Sequence, residues 1–390
     1  MPKTSKRARR APGPEMATQP NETPRSLGYR MPAEWEPHAA TWLAFPHEAS
    51  DWPGKFEVVP WIFAELAKKL TEGERVRLIV RDAAMKKHAQ RVFQQTGVDM
   101  SQVDFLSAPT DRSWTRDFVP SFVLKERARV PRRARELGAR GADGVAAVKW
   151  RFNGWARYPN HRRDEAAGTL VKDWLGVPAF TPEAAGAGRR KAARLVLEGG
   201  AIDVDGEGTL LTTEECLLDG KQARNRELGK EGTERALSAN LGIDKVLWLK
   251  QGIAGDDTGG HVDDFARFAG PARVVLCEER RKSDPNHRIL ESARERLEGA
   301  RDARGRRVQV VRLPMPSPLS FAGQRLPASY ANFYVCNAYV LVPTFNDPAD
   351  RIALGILSEL FTDRPVVGVH AVDLVLGLGT IHCSTQQEPL

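Results

Sequence analysis

One alternation constrains this chain more than any other feature: an amphipathic stretch of helical period, a short turn, then a brief β-branched run. Trp61 to Leu70 leads to Val76–Val80, and Ala83 to Gln95 leads to Val103–Leu106. Further copies are Glu231 to Leu241 before Val246–Leu249, His287 to Glu298 before Val308–Leu313, and Ile352 to Phe361 before Val366–Val369. The pattern predicts a repeated α/β array. A doubly wound nucleotide-binding sheet would need a GxGxxG turn between a strand and a helix, and the sequence has none. Its nearest candidate, Gly377-Leu378-Gly379, runs into Thr380-Ile381-His382-Cys383 and the chain end, leaving no room for a phosphate-cradling helix.

With 390 residues, 41% of them hydrophobic, the chain can bury a substantial core without disulfide staples. No stretch approaches the roughly 18 apolar residues of a membrane span, and Met1-Pro2-Lys3 opens no signal peptide. Cys216, Cys277, Cys336 and Cys383 are scattered and read as free thiols in a reducing compartment. A soluble cytoplasmic protein without a membrane partner is expected. The net charge of +8 raises nucleic-acid binding, yet much of the excess lies in two segments rather than on one helix face. Residues 1–27, with Lys3, Lys6, Arg7, Arg9 and Arg10 and few apolar residues, read as a disordered basic tail. Met16 offers an alternative start within it. Lys125 to Lys149, rich in arginine and without apolar period, reads as a surface insertion in a single domain spanning 28–390. No nucleic-acid partner is expected.

Four segments could carry chemistry. Cys383 lies among glycines and small polar residues, where backbone can approach a ligand and a thiol can act as a nucleophile. Its neighbour His382 would point to the opposite face of an extended segment, so the acid/base should come from elsewhere. Gly255-Asp256-Asp257-Thr258-Gly259-Gly260-His261-Val262-Asp263-Asp264 supplies it, with His261 and Asp263 on one face if extended. A structural zinc site would need more cysteine or histidine at short spacing, so no metal is expected. Ser113-Trp114-Thr115-Arg116-Asp117 sets an aromatic plane near a carboxylate, and Leu195-Val196-Leu197-Glu198-Gly199-Gly200 ends an apolar run in another. One thiol, one imidazole and three carboxylates suit a planar guanidinium, which stays protonated and pairs bidentately with carboxylates. A Cys-His protease would leave the three carboxylates unexplained.

Arg30-Met31-Pro32-Ala33-Glu34-Trp35-Glu36-Pro37-His38 resembles the opening of agmatine deiminases and bacterial peptidylarginine deiminases, of the guanidine-group-modifying superfamily. Trp114-Thr115-Arg116-Asp117, Phe152-Asn153-Gly154-Trp155, Leu197-Glu198-Gly199-Gly200, Gly260-His261-Val262-Asp263 and Ile381-His382-Cys383 continue it in order, with Leu210–Leu218 and Ser329–Tyr334 also similar. It runs from about Gly28 to Pro389. The resemblance implies the α/β pentein fold, a five-bladed propeller of pseudo-fivefold ββαβ-type repeats, although fivefold repetition is not visible in the residues. It implies Cys383 as nucleophile, His261 as general acid/base, Asp117 and Asp263 as guanidinium-binding carboxylates, and Glu198 orienting His261. Trp114 would wall the site, Asn332 would support it and Asp257 would contact substrate. No cofactor is implied, and the partner is a small guanidine substrate. The reaction implied is hydrolysis of agmatine to a ureido compound and ammonia, with peptidylarginine or free arginine as rival substrates. An amidinotransferase of similar fold and a non-catalytic basic nucleic-acid-binding protein are further alternatives. The chain departs from the family at Thr380, where asparagine is common, at Gly259, where aspartate is common, and at Ala156-Arg157-Tyr158-Pro159. These changes bear on recognition of the substrate tail. The oligomeric state, homo-oligomer included, is left open.

Overall fold

The computed structural model describes residues 22–125, 144–184 and 192–390. Each helix-to-strand unit read from the sequence is present. Helices Val59–Leu70, Ala83–Thr96, Gly229–Leu241, Pro285–Leu297 and Ala349–Leu360 precede strands Arg75–Val80, Val103–Ser107, Lys245–Leu249, Gln309–Pro314 and Val366–His370. Helix Val59–Leu70 starts with Pro60 in its first turn and buries Ile62, Phe63, Leu66, Ala67 and Leu70 on one face. Asp82 caps the next helix by accepting the Met85 N–H at 2.8 Å. Central strands such as Arg273–Glu278 and Val340–Thr344 are buried along nearly their whole length, as strands covered on both faces must be.

Five sheets share one plan. A strand runs antiparallel to a central strand, which pairs in parallel with a third reached through a helix; the central strands are His38–Ala44, Val145–Val148, Thr209–Thr213, Arg273–Glu278 and Val340–Thr344. These are the five α/β blades that the pentein resemblance implies. They do not match the five sequence units one to one. Strands Arg75–Val80 and Val103–Ser107 belong to one sheet, while the sheet of Ser121–Lys125, Val145–Val148 and Ala179–Phe180, with helix Arg162–Leu175, has no counterpart among those units. The sheet of His38–Ala44 takes its antiparallel strand, Gln386–Pro389, from the far end of the chain. Trp42 and Arg77 both donate to the Glu388 carboxylate there, fastening the two ends together.

Residues 1–21 of the expected tail and 126–143 of the expected insertion lie outside the described residues. Arg25 pairs with Asp244 at 2.5 Å, and Val145–Val148 is a buried core strand. Among the described residues no helix is long and apolar enough to cross a membrane.

This plan places the site. Just ahead of the antiparallel strand of each sheet sits a short irregular segment: Thr115–Phe118, Glu198–Ala201, His261–Asp264, Tyr330–Phe333 and Thr380–Ser384. Each carries one or more of the residues singled out above.

Candidate active site

The Cys383 segment is a turn rather than an extended strand. Asn332 pins it: its Oδ1 accepts the Thr380 hydroxyl at 2.6 Å and the His382 N–H at 3.1 Å, while its Nδ2 lies 3.2 Å from Cys383 Sγ and 3.1 Å from Asp264 Oδ1. From the other side the Arg116 N–H donates to the Cys383 carbonyl at 3.2 Å. Sγ stands 3.7 Å from Asp263 Oδ2, and Cys383 as a whole is 9% exposed. Thr380 therefore takes up a supporting bond at the position where the family commonly has asparagine.

His261 and Asp263 converge, but through a one-turn 3-10 helix, Val262–Asp264, instead of strand alternation. His261 Nδ1 lies 3.9 Å from Asp117 Oδ1 and 4.0 Å from Asp263 Oδ1. Gly200 sits at the meeting point. A Cβ there would stand 2.5 Å from His261 Nδ1 and 3.1 Å from both Asp117 Oδ1 and Asp263 Oδ2. The Gly200 N–H also donates to Asp117 Oδ1 at 3.0 Å, and Trp155 Nε1 donates to Oδ2 at 2.8 Å. Among the described residues, His261 Nε2 and Asp263 Oδ1 are buried without a hydrogen-bond partner, and no hydrogen bond joins His261 to Cys383.

Electrostatics separates these groups. Burial pushes Asp117 up to about 6, aided by the carboxylates of Asp263 and Glu198 and opposed by His261. For Asp263 burial acts in the same sense, but His382, through its hydrogen bond and charge, His261 and Arg267 outweigh it and hold the carboxylate below its ordinary value. Burial alone would lower His261; Asp117, the Cys216 thiol and Asp263 overcome it and raise the imidazole well above its ordinary value. Cys383 is raised well above the usual thiol value by burial and then by Asp263, Asp264 and Asp117. These shifts favour a charged imidazole at His261, a neutral thiol at Cys383 and an ionised carboxylate at Asp263.

His382 does not partner Cys383. It bridges Asp263 Oδ2 at 2.6 Å and Glu34 Oε2 at 2.8 Å, and Glu34 in turn meets Arg116 at 3.2 Å and Arg267 at 2.9 Å. This buried chain fixes Asp263 from behind. Glu34 and Arg116 stand within the motifs quoted above, but the residue order gives no sign that they meet. Glu198 is fully buried with both oxygens on Arg224 Nε, at 3.0 and 3.1 Å. Its atoms lie within 4.8 Å of His261 and Cys216 without hydrogen-bonding the imidazole. Arg224 and Cys216 are thus neighbours that sequence reasoning gave no role.

Gly379 is wedged between Trp114 and Cys383: a Cβ there would lie 2.9 Å from the Trp114 ring and 3.1 Å from Cys383 Cβ. Asp257 stands apart from this group. Its carboxylate accepts the Tyr158 hydroxyl, and Tyr158 packs edge-on against Trp155 at 5.8 Å, with the Arg112 guanidinium 4.6 Å over its other contact face. Two donor trios could be considered for a metal, Glu198–Cys216–His261 and Asp263–Asp264–Cys383. In the first, Glu198 is already paired with Arg224, and the raised pKa of His261 disfavours the neutral imidazole that a metal needs. In the second, burial and Asp263 raise Asp264 well above its ordinary value, and Asn332 bonds both Asp264 and Cys383. The arrangement instead suits a flat organic cation beside a sulfur nucleophile.

Comparison with known proteins gives a consistent result. Residues 30–389 match the Porphyromonas-type peptidyl-arginine deiminase family. The agmatine deiminase of Ectopseudomonas mendocina is 34% identical over 94% of this chain and 97% of its own length. The structure of an Enterococcus faecalis agmatine deiminase, described as catalysing its reaction, superposes with a TM-score of 0.81 at 30% identity, covering 95% of this chain and 98% of that one. A substrate-bound agmatine deiminase of C. jejuni does so with a TM-score of 0.76 at 28% identity, covering 92% and 96%.

Proposed function

The chain belongs to the Porphyromonas-type peptidyl-arginine deiminase family, and from that premise we propose that it is a deiminase hydrolysing agmatine to N-carbamoylputrescine and ammonia. The observation that carries the reading is the convergence of Asp117 and Asp263 around Gly200, beside Cys383 Sγ. Two carboxylates converging beside a sulfur suit the donors of a guanidinium and would hold its carbon near that sulfur.

In this reading the substrate cation offsets the carboxylate field that keeps Cys383 protonated, so the thiol gives up its proton to solvent water when its target is bound. Sulfur attacks the guanidinium carbon, forming a C–S bond. The C–N bond to one NH2 group then breaks as His261 delivers a proton, and ammonia leaves an S-alkylthiouronium. Water takes the vacated space, gives a proton to His261 and attacks the same carbon. The C–S bond breaks, the ureido product departs, and the thiol is restored. Asn332 steadies sulfur, Trp114 walls the substrate, Glu198 supports His261 from the Arg224 side, and Asp257 meets the substrate tail. Four buried free thiols suit work in a reducing cytoplasm.

The test is ammonia release from agmatine, free arginine and a blocked arginine peptide, with wild-type protein and Cys383→Ala. Release from agmatine above the others, reduced at least about 10⁴-fold by the substitution, is expected. A wild-type preparation that turns over no guanidine would refute the enzymatic reading.

A further inference from the structure

We propose that the cleft between residues 153–159 and 221–227 is a binding site for a small oxyanion, carboxylate or phosphate in type, adjoining the guanidinium pocket. The cleft has a volume of roughly 530 Å³, and its walls include Arg157, Tyr158, Lys221, Arg224, Arg226 and Glu227. Arg224 faces inward and is matched by Glu198. Arg157, Lys221 and Arg226 are exposed, and among the described residues none of them forms a direct ion pair with a carboxylate, although the charge of Arg157 acts on the Asp257 carboxylate. Their hydrogen bonds go to backbone: Arg157 donates to the Asp257 carbonyl at 3.4 Å, and Arg226 to that of Lys221. Against these three cations the walls set Glu227, with Asp257 behind Tyr158 acting on Arg157 alone. Like charges gathered on a concave wall repel, and an oxyanion relieves that repulsion while matching the fork geometry of arginine.

Both walls are tied to the site described above. On one, Trp155 bonds Asp117 and Tyr158 bonds Asp257. On the other, Arg224 bonds Glu198 and the Thr258 carbonyl, and a side chain on Gly259 would collide with Gln222. An anion bridging Arg157 to Lys221 or Arg226 draws these walls together and steadies the segments that carry Asp117 and Glu198. The oxyanion is either a free ion or the carboxylate of a guanidine such as arginine; in the second case the inference rests on the deiminase reading.

Two measurements decide it. The full chain is titrated with inorganic phosphate by calorimetry at constant ionic strength, alongside the double variant Lys221→Gln/Arg226→Gln, whose fold is checked by circular dichroism. In parallel, kcat/KM is measured for agmatine and free arginine with and without phosphate. Saturable binding, weakened at least about tenfold in the variant, is expected. If the anion is free, phosphate changes agmatine kcat/KM in the wild type and not in the variant. If it is carried by substrate, the variant lowers the arginine-to-agmatine ratio by about tenfold, and phosphate competes with arginine alone. Absent phosphate binding together with an unchanged ratio overturns the proposal, as does binding that survives the double substitution. Failure to turn over any guanidine would defeat the deiminase reading while leaving the titration to judge the cleft.

Discussion

The inner site and its outer wall are built on opposite principles. Around Cys383, Asp117, His261, Asp263, Asn332 and His382 are at most 6% exposed, and hydrogen bonds between the segments ahead of the strands fix Asp117, Asp263, Asn332 and His382, while His261 is held by burial between the Asp117 and Asp263 carboxylates. Residues 153–159 and 221–227 instead present exposed cations from connecting segments outside the sheets. The inner groups descend from one recurring place, the segment before the antiparallel strand, so their convergence follows from the repeat itself. The outer groups have no such common origin. A fold of this plan can thus keep its chemistry while its periphery changes with the substrate or effector.

The comparison breaks most directly at Asp117. If it holds the cation, Asp117→Asn should lower kcat/KM for agmatine by about 10³-fold, since removing one partner of a buried charge contact costs several kcal/mol. Its pKa is raised to about 6, so the wild-type carboxylate takes up a proton as pH falls through that value and loses its attraction for the cation. The pH profile of kcat/KM should therefore decline below about 6, and the Asn variant should lack that limb. A profile unchanged by the substitution would remove Asp117 from substrate binding. Gly200→Ala probes the same point by volume. Its Cβ would enter the space between His261 and both carboxylates, and a loss of about 10²-fold in kcat/KM with an unchanged circular dichroism spectrum is expected. Retained activity would mean that the three groups need not meet there.

The inner site was readable as a set of residue types, but not as geometry. Cys383, His261 and Asp263 could be singled out because each sits beside glycine or acidic neighbours that a core strand would exclude. The reasons were only partly sound. His261 and Asp263 were matched by strand alternation, whereas a 3-10 turn brings them together, and the same alternation set aside His382, which braces Asp263. Arg224 leaves no trace in the residue string because its partner, Glu198, is remote in sequence and the pair forms only after folding. Fivefold repetition was hidden for a comparable reason. The sheet around Val145–Val148 closes on a two-residue strand, Ala179–Phe180, too short to register as a β-branched run. The sheet around His38–Ala44 carries two helix-to-strand units, so counting units does not count sheets.

At the outer wall the smallest effect is also the most local. Trp155 and Ala156 both hold left-handed backbone, with φ of 57° and 56°, where the matching motif Phe152–Trp155 meets the departure at Ala156–Pro159. A Cβ in that conformation costs roughly 1–2 kcal/mol, against about 0.4–1 kcal/mol that glycine loses through the extra freedom of the unfolded chain. Two hydrogen bonds hold the segment in place, from Trp155 to Asp117 and from Tyr158 to Asp257. Ala156→Gly leaves both intact while removing one source of strain. It should stabilise the fold by about 0.5–1 kcal/mol, read as a rise of roughly 1–3 °C in melting temperature, with agmatine kcat/KM within about twofold of wild type. A fall in melting temperature would mean that the connecting segment, rather than the bonds at its ends, stores the order of this wall. A large loss of activity would mean that the inner site depends on the outer segment being stiff, and the separation between the two regions would fail.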